Sequence, residues 1–433
     1  MIRRFVGRSQ HARWALADQG INSLSNFALT ILVARSSSPV AFGAFSLGYI
    51  TYLFLLGIVR ALCSEPYLVG YSSAKPQNRK RAVQGATGTA ILLGAVLATS
   101  IWAVTASLDE SLARTALRSV AIWLPALFLQ DTWRFVLIAN REPRRAALND
   151  GVWGALQLLG AAVVILGYGP DVAAFIAAWG GAALVAALFG AWQARVGPSL
   201  RGCPTWLHAN RALFSSYLGE FLAVRASGQL TFYAVGSLAG LGALGAMRAG
   251  VTLFGPLNVL FNGIRTAFIP EAVKDFERTQ STRRWVVVAS TMTSMLACAW
   301  GAVALTLPEG VGGQLFGETW TLATPLLLPL ALWTFGTALA IGPLIGLRAI
   351  LALRRGLKAH GSLGLIILVT GPMGAWLGGA YGASVGLAIG TNTGAVLCWY
   401  QYLRACNEVG LRGAEQEHLA ARRTRGLGGD FVG

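Results

Sequence analysis

Apolar residues run in twelve long stretches along this chain, separated by short polar connectors. The stretches fall near 14–35, 40–62, 83–107, 113–138, 146–167, 171–193, 212–236, 239–264, 285–307, 320–347, 358–378 and 381–403. A hydrocarbon core about 30 Å thick is crossed by roughly 20 residues of helix. The pattern therefore predicts an all-α polytopic membrane protein with twelve transmembrane helices. The first stretch carries Asp18, Gln19, Asn22 and Asn26 and lacks a short apolar core with a small-residue cleavage site. It reads as a first span and not as a removable signal peptide.

Charge gives these helices an orientation. The chain has 35 Lys and Arg against 18 Asp and Glu, a net charge of +17. A basic balance of this size ordinarily points to a polyanionic partner such as nucleic acid. Its distribution argues otherwise. The two termini and the even-numbered connectors hold 27 of the basic residues, in groups such as Lys75, Arg79, Lys80 and Arg81, whereas the odd-numbered connectors hold 3: Arg35, Arg114 and Arg118. Basic residues stay on the cytoplasmic side during insertion. Both termini are therefore expected in the cytoplasm, and no nucleic acid is needed to explain the charge.

Motifs for covalent or metal chemistry are missing from the sequence. There is no phosphate-binding loop, HExxH or nucleophile elbow, so the chain does not read as an enzyme. Cys63, Cys203, Cys298, Cys398 and Cys406 are scattered, with neither a disulfide framework nor metal spacing. His11, His208 and His418 fall in connectors or termini and His360 at the cytoplasmic end of a stretch. No metal and no cofactor is expected.

A weak internal repeat organises the spans. Leu16-Ala17-Asp18-Gln19 corresponds to Leu218-Gly219-Glu220-Phe221, and Phe42 to Gly48 corresponds to Leu244 to Gly250. Each half carries six spans in the same orientation, an arrangement used by transporters that bind cargo between their halves. Chance likeness between Gly- and Ala-rich helices is the competing reading. The division expected is a cytoplasmic amphipathic lead-in (1–13), an N-terminal six-helix lobe (14–194), a basic inter-lobe connector (195–211), a C-terminal six-helix lobe (212–406) and a polar cytoplasmic tail (407–433) that is disordered or bound to the membrane surface.

The residues Ser38-Pro39, Phe42-Gly43 and Phe45-Ser46-Leu47, after a first span with Asn22 and Asn26, resemble the N-terminal signature of polysaccharide flippases. These are the lipid-linked oligosaccharide flippases of the multidrug/oligosaccharidyl-lipid/polysaccharide exporter superfamily. The local motif covers the first 70 residues or so; span count and half-repeat extend the resemblance over the chain. It implies a V-shaped transporter of two six-helix pseudo-repeats around a central cavity, working by alternating access. Its cargo would be a polyprenyl-diphosphate-linked glycan, carried from the inner to the outer leaflet of the bacterial plasma membrane for surface polysaccharide assembly. Membrane lipids, a polysaccharide polymerase and glycosyltransferases are the partners it implies. A cation-coupled multidrug or metabolite exporter of the same superfamily is the alternative. A membrane-embedded polymerase or glycosyltransferase is a further one, disfavoured because the outward connectors near 107–113 and 307–319 carry only Asp109, Glu110, Glu309 and Glu318.

Ionisable residues inside spans are costly and mark functional positions by default. Those left after removing connectors are Arg60, Arg134, Arg225, Arg248 and Arg265, with Asp18, Glu65, Asp131 and Glu220. The planar guanidinium fork suits phosphate. Arg225 and Arg248 are the leading diphosphate candidates because neither has an acid three or four residues away, and Arg134 is a third. Asp131 and Arg134, three apart, either neutralise each other or face the cavity. Asp18, Glu220 and Asp131 are candidates for a coupling ion or proton. Asn22, Asn26 and Gln229 are cavity candidates for sugar hydroxyls, or else hydrogen-bond between helices. Pro125, Pro256, Pro325, Pro329, Pro343 and Pro372 interrupt spans and offer hinge points.

Overall fold

The computed structural model describes the chain from Ile2 to Gly426 apart from residues 73, 168 and 225; side chains are described except at 2–13, 15, 16, 220, 223, 224 and from 409 on. Among the described residues the regular structure is all helical. The first half contains α1 (Ile2–Ser36), α2 (Pro39–Val59), the short α3 (Glu65–Gly70), α4 (Pro76–Val104), α5 (Leu112–Ala139), α6 (Pro143–Gly167) and α7 (Val172–Ala194). The second contains α8 (Cys203–Val224), α9 (Ala226–Leu238), α10 (Gly240–Leu253), α11 (Gly255–Thr279), α12 (Arg283–Leu305), α13 (Glu309–Phe316), α14 (Thr319–Ala323), α15 (Leu327–Ala349) and α16 (Leu353–Gly426).

All twelve apolar stretches lie in these helices. Among the described residues eight helices are long and apolar enough to cross a membrane, and a ninth candidate is the pair α10 and α11, bent by 45°. One of the eight, within α16, breaks at Gly378 and at Gly379, whose φ of +57° is left-handed, so it supplies both of the last two predicted spans. The remaining stretches, in α1 and in α8–α9, are not among these candidates: α1 carries Asp18, Gln19, Asn22 and Asn26, and α9 is only 13 residues long. At the two ends, the lead-in is continuous with the first span in α1, and α16 runs on to Gly426.

Local signals set the helix starts. Ser38 accepts the amide of Ala41 and Pro39 opens α2; Ser111 caps α5; Asp171 accepts the amide of Ala174 at 2.7 Å and caps α7. After Val59 the chain makes one π-turn, Arg60–Ser64, in which the amide of Glu65 bonds back to the carbonyl of Arg60. Such turns carry an extra residue and re-aim the side chains that follow.

Packing falls into two groups. In the first half α5 lies against α2, α4 and α7, and α6 against α1 and α7; in the second α15 lies against α11, α12 and α16, and α9 against α16. Lipid competes with protein for apolar surface, so contact between spans depends on close fit. Trp133 and Trp179 are fully buried in the first half. The halves meet mainly along α2. Near its start, a Cβ on Gly43 would overlap the carbonyl of Leu241 on α10, and Gly57 near its end lies against the ring of Phe221 on α8. Tyr233 also donates to Thr51 at 3.0 Å across the same seam. Only glycine permits the backbone approach at position 43.

Candidate functional site

A cavity of about 540 Å³ opens on the other side of the seam, between α1, Tyr49 of α2 and the bend where α10 passes into α11. The bend has a local cause. Pro256 stands in the first turn of α11, where proline lacks the amide needed to continue a helical ladder from α10. Of the six prolines expected to interrupt spans, it is the one at the 45° break.

Arg248 lines this cavity and is, among the described residues, its only charged lining residue. Its guanidinium carbon lies 4.5 Å from the ring centroid of Tyr49, a cation–π contact, and the guanidinium also hydrogen-bonds to the Tyr49 side chain. No described carboxylate lies within ion-pair distance of it. Asn22, Ser23, Asn26 and Thr30 of α1 and Asn258 of α11 supply neutral polar groups. Asn26 donates to the carbonyl of Asn22 at 2.9 Å, while its own Oδ1 is buried with no partner. An unsatisfied buried acceptor is costly, and a ligand hydroxyl would satisfy it.

Next to the cavity, a buried charge network fills the first half. Arg134 of α5 donates from Nη2 to Asp18 Oδ2 at 2.7 Å and to Gln19 at 3.2 Å, and its Nε lies 3.1 Å from Asp150 Oδ2. Asp150 also accepts from Asn22 at 3.1 Å and from Gln130 at 2.9 Å. Asn22 therefore belongs to both the network and the cavity lining. With all three groups ionised, two carboxylates share one guanidinium, and Asp18 Oδ1 is buried without a hydrogen-bond partner.

These contacts bear on three sequence expectations. Asp131 and Arg134 do not pair with each other: Arg60 on the π-turn holds Asp131 with two bonds of 2.9 and 2.6 Å. Positions three apart on α5 face different neighbours, and a two-bond pair between helices is stronger than a bent contact along one helix. Arg134 also leaves the set of diphosphate candidates, because its fork is occupied by Asp18, Gln19 and Asp150 and its side chain is 11% exposed. Asp131, a candidate for a coupling ion, is paired with Arg60. Arg225 and the side chain of Glu220 lie outside the described residues. Gln229 lines a separate cavity of about 170 Å³, with Arg60, Tyr217 and Phe221, and does not meet Asn22 and Asn26.

Asp150, Asn149 and Gln130 were not among the expected site residues. Asp150 sits one turn inside the predicted stretch 146–167, and its side chain is fully buried. An acid at that depth was the available signal, masked by its nearness to the span boundary.

No protein-family model matches the chain, and no curated protein matches it in sequence. Solved structures do match in fold. The lipid II flippase MurJ in an inward closed conformation aligns with a TM-score of 0.73 at 11% identity, covering 98% of this chain and 94% of that one. An inward-facing multidrug resistance MATE family transporter of the MOP superfamily aligns at 0.66 and 15% identity, over 92% and 99%. A MOP superfamily transporter from Pyrococcus furiosus, described as having a binding pocket of reversed polarity, aligns at 0.61 and 14% identity, over 93% and 95%. The chain thus has the fold of MATE-type transporters and MurJ along nearly its whole length.

Proposed function

We propose that the protein is a flippase for a polyprenyl-diphosphate-linked oligosaccharide in the plasma membrane of a bacterium, with both termini cytoplasmic. The observation that carries this reading is the cavity lining: one arginine without a carboxylate partner, several amides and hydroxyls, and no acid. Arg248 would hold the diphosphate, while Asn22, Asn26 and Asn258 would meet sugar hydroxyls. The cavity borders α1 and α11, so the polyprenyl tail can stay in lipid while the head occupies the polar space. The carboxylate surplus at Asp18 and Asp150 can take a proton or a small cation, and Asn22 links that event to the cavity. Transport of a lipid-linked substrate by MurJ, a protein of the same fold, supports the reading.

A cation-coupled drug exporter is the second reading, favoured by the same carboxylate pair and by the MATE transporters of this fold. A cationic drug, however, would meet Arg248 and no compensating acid in the cavity.

The test is flipping of a defined lipid-linked oligosaccharide in proteoliposomes, normalised to folded protein. Charge-assisted bonds contribute about 1.5–3 kcal/mol each, so Arg248→Ala should lower flipping by roughly 10- to 100-fold at limiting substrate. Arg248→Lys should restore part of it, since charge returns without the fork. Unchanged normalised flipping in Arg248→Ala would remove the residue from the site, and export of cationic dyes without flipping would favour the second reading.

A further inference from the structure

A third cavity, of about 380 Å³, lies at the basic-connector end of the bundle, between the start of α4 and the segment joining the two halves. Its aromatic wall is Trp206, buried and 5.4 Å from the ring of Tyr71. Two contacts fix that wall. Trp206 Nε1 donates to the carbonyl of Leu62 in the π-turn at 3.0 Å, and the amide of Ser199 donates to the carbonyl of Gln84 at 3.1 Å. Gly85 lets the two elements approach, because a Cβ there would come within 2.8 Å of Trp206 Cβ.

The rim is formed by Asn78, Arg81 and Gln84 of α4 and Thr205 of α8, and no carboxylate lines the cavity. At the same end, α4 begins on Pro76 after Lys75, with no side-chain cap and no acid in its first turn. The positive end of a 29-residue helix adds to the charge of Arg81. The apolar stretch that begins at residue 83 starts just beyond Arg81, so the rim stands at headgroup depth. Tyrosine and tryptophan favour that depth as well. Retention of basic residues on one side explains charged connectors, but not a fixed aromatic wall facing a carboxylate-free polar rim.

We propose that this cavity binds the phosphate headgroup of an anionic glycerophospholipid from the leaflet on the connector side. Arg81 takes the phosphate, and Asn78, Gln84 and Thr205 take headgroup hydroxyls. The occupant is a lipid and not a soluble phosphate because the rim lies where lipid headgroups are concentrated. A bound lipid joins α4 to Trp206, and through Leu62 to the π-turn that presents Arg60. Occupancy therefore holds the inter-half segment on the first half of the molecule.

The experiment uses the purified full-length chain in neutral detergent, with dioleoylphosphatidylglycerol, dioleoylphosphatidylcholine and inorganic phosphate as probes. Native mass spectrometry reads retained lipid. Phosphatidylglycerol should be retained and phosphatidylcholine not. One surface charge corresponds to about 1 kcal/mol near a membrane, so Arg81→Gln should weaken binding about fivefold, and Asn78→Leu should weaken it independently. Arg354→Gln, on another connector, should leave it unchanged. Equal retention of the two lipids, wild-type binding by Arg81→Gln and Asn78→Leu, or an equal loss in Arg354→Gln would overturn the proposal. Displacement of phosphatidylglycerol by millimolar inorganic phosphate would overturn the lipid assignment in favour of a soluble phosphate.

Discussion

At the scale of single residues, two intramembrane arginines with the same chemistry have opposite surroundings. Arg134 is enclosed by Asp18, Gln19 and Asp150, whereas Arg248 faces a cavity over Tyr49 with no described acid nearby. Their substitutions should differ accordingly. Arg134→Ala strands two buried carboxylates, and breaking a buried pair costs about 3–5 kcal/mol. The expected outcome is a sharp drop in folded protein by fluorescence-detected size exclusion. Adding Asp18→Asn and Asp150→Asn to Arg134→Met removes every charge of the cluster and should recover much of the folded yield. Failure of the triple variant to improve on Arg134→Ala would show that the network is not held by its charge balance. Arg248→Ala, in contrast, should fold as the parent does while losing flipping.

Among the helices, α2 has the most consequential packing, because both halves meet along it. The contact of Gly43 with the Leu241 carbonyl involves backbone on one side, which cannot rotate away as a side chain can. Gly43→Val should therefore force α2 and α10 apart. Val40 and Gly242 adjoin this contact: a Cβ on Gly242 would lie 3.7 Å from Val40 Cγ2. In a cysteine-free background, the pair Val40→Cys and Gly242→Cys should cross-link readily under mild oxidation. Adding Gly43→Val should reduce that cross-link severalfold; an unchanged yield would mean that α2 and α10 do not separate there. The bend at Pro256 lies beside Arg248, so Pro256→Ala restores a helical amide without changing the cavity's charge. It should alter flipping with little change in folded yield if the bend shapes the cavity.

For the molecule as a whole, orientation rests on the 27-to-3 bias of basic residues between connectors. Single cysteines placed at Gly197 and Gly310 should label with an impermeant thiol reagent from opposite sides: Gly310→Cys in intact cells, Gly197→Cys only after permeabilisation. Cys203 is unsuitable as the probe because it is 2% exposed. Labelling of Gly197→Cys in intact cells would reverse the proposed topology. The all-helical, membrane-spanning class was legible in the sequence because a bilayer imposes length and apolarity on each span separately, and both are local properties. The intramembrane residues Arg248, Asn22 and Asn26 were legible for the same reason, since a polar group in an apolar stretch stands out without knowledge of its neighbours. Which charges neutralise one another was not legible. Asp131 with Arg60, and Arg134 with Asp18 and Asp150, join residues 71, 116 and 16 positions apart, and their choice depends on how α5 is rotated and on the π-turn that aims Arg60. The cavity beside Arg248 likewise lies where α10 bends into α11, beside α1. The sequence determined what must lie in the membrane, residue by residue, and the packing of the helices decided which of those residues are paired and which are left to meet a substrate.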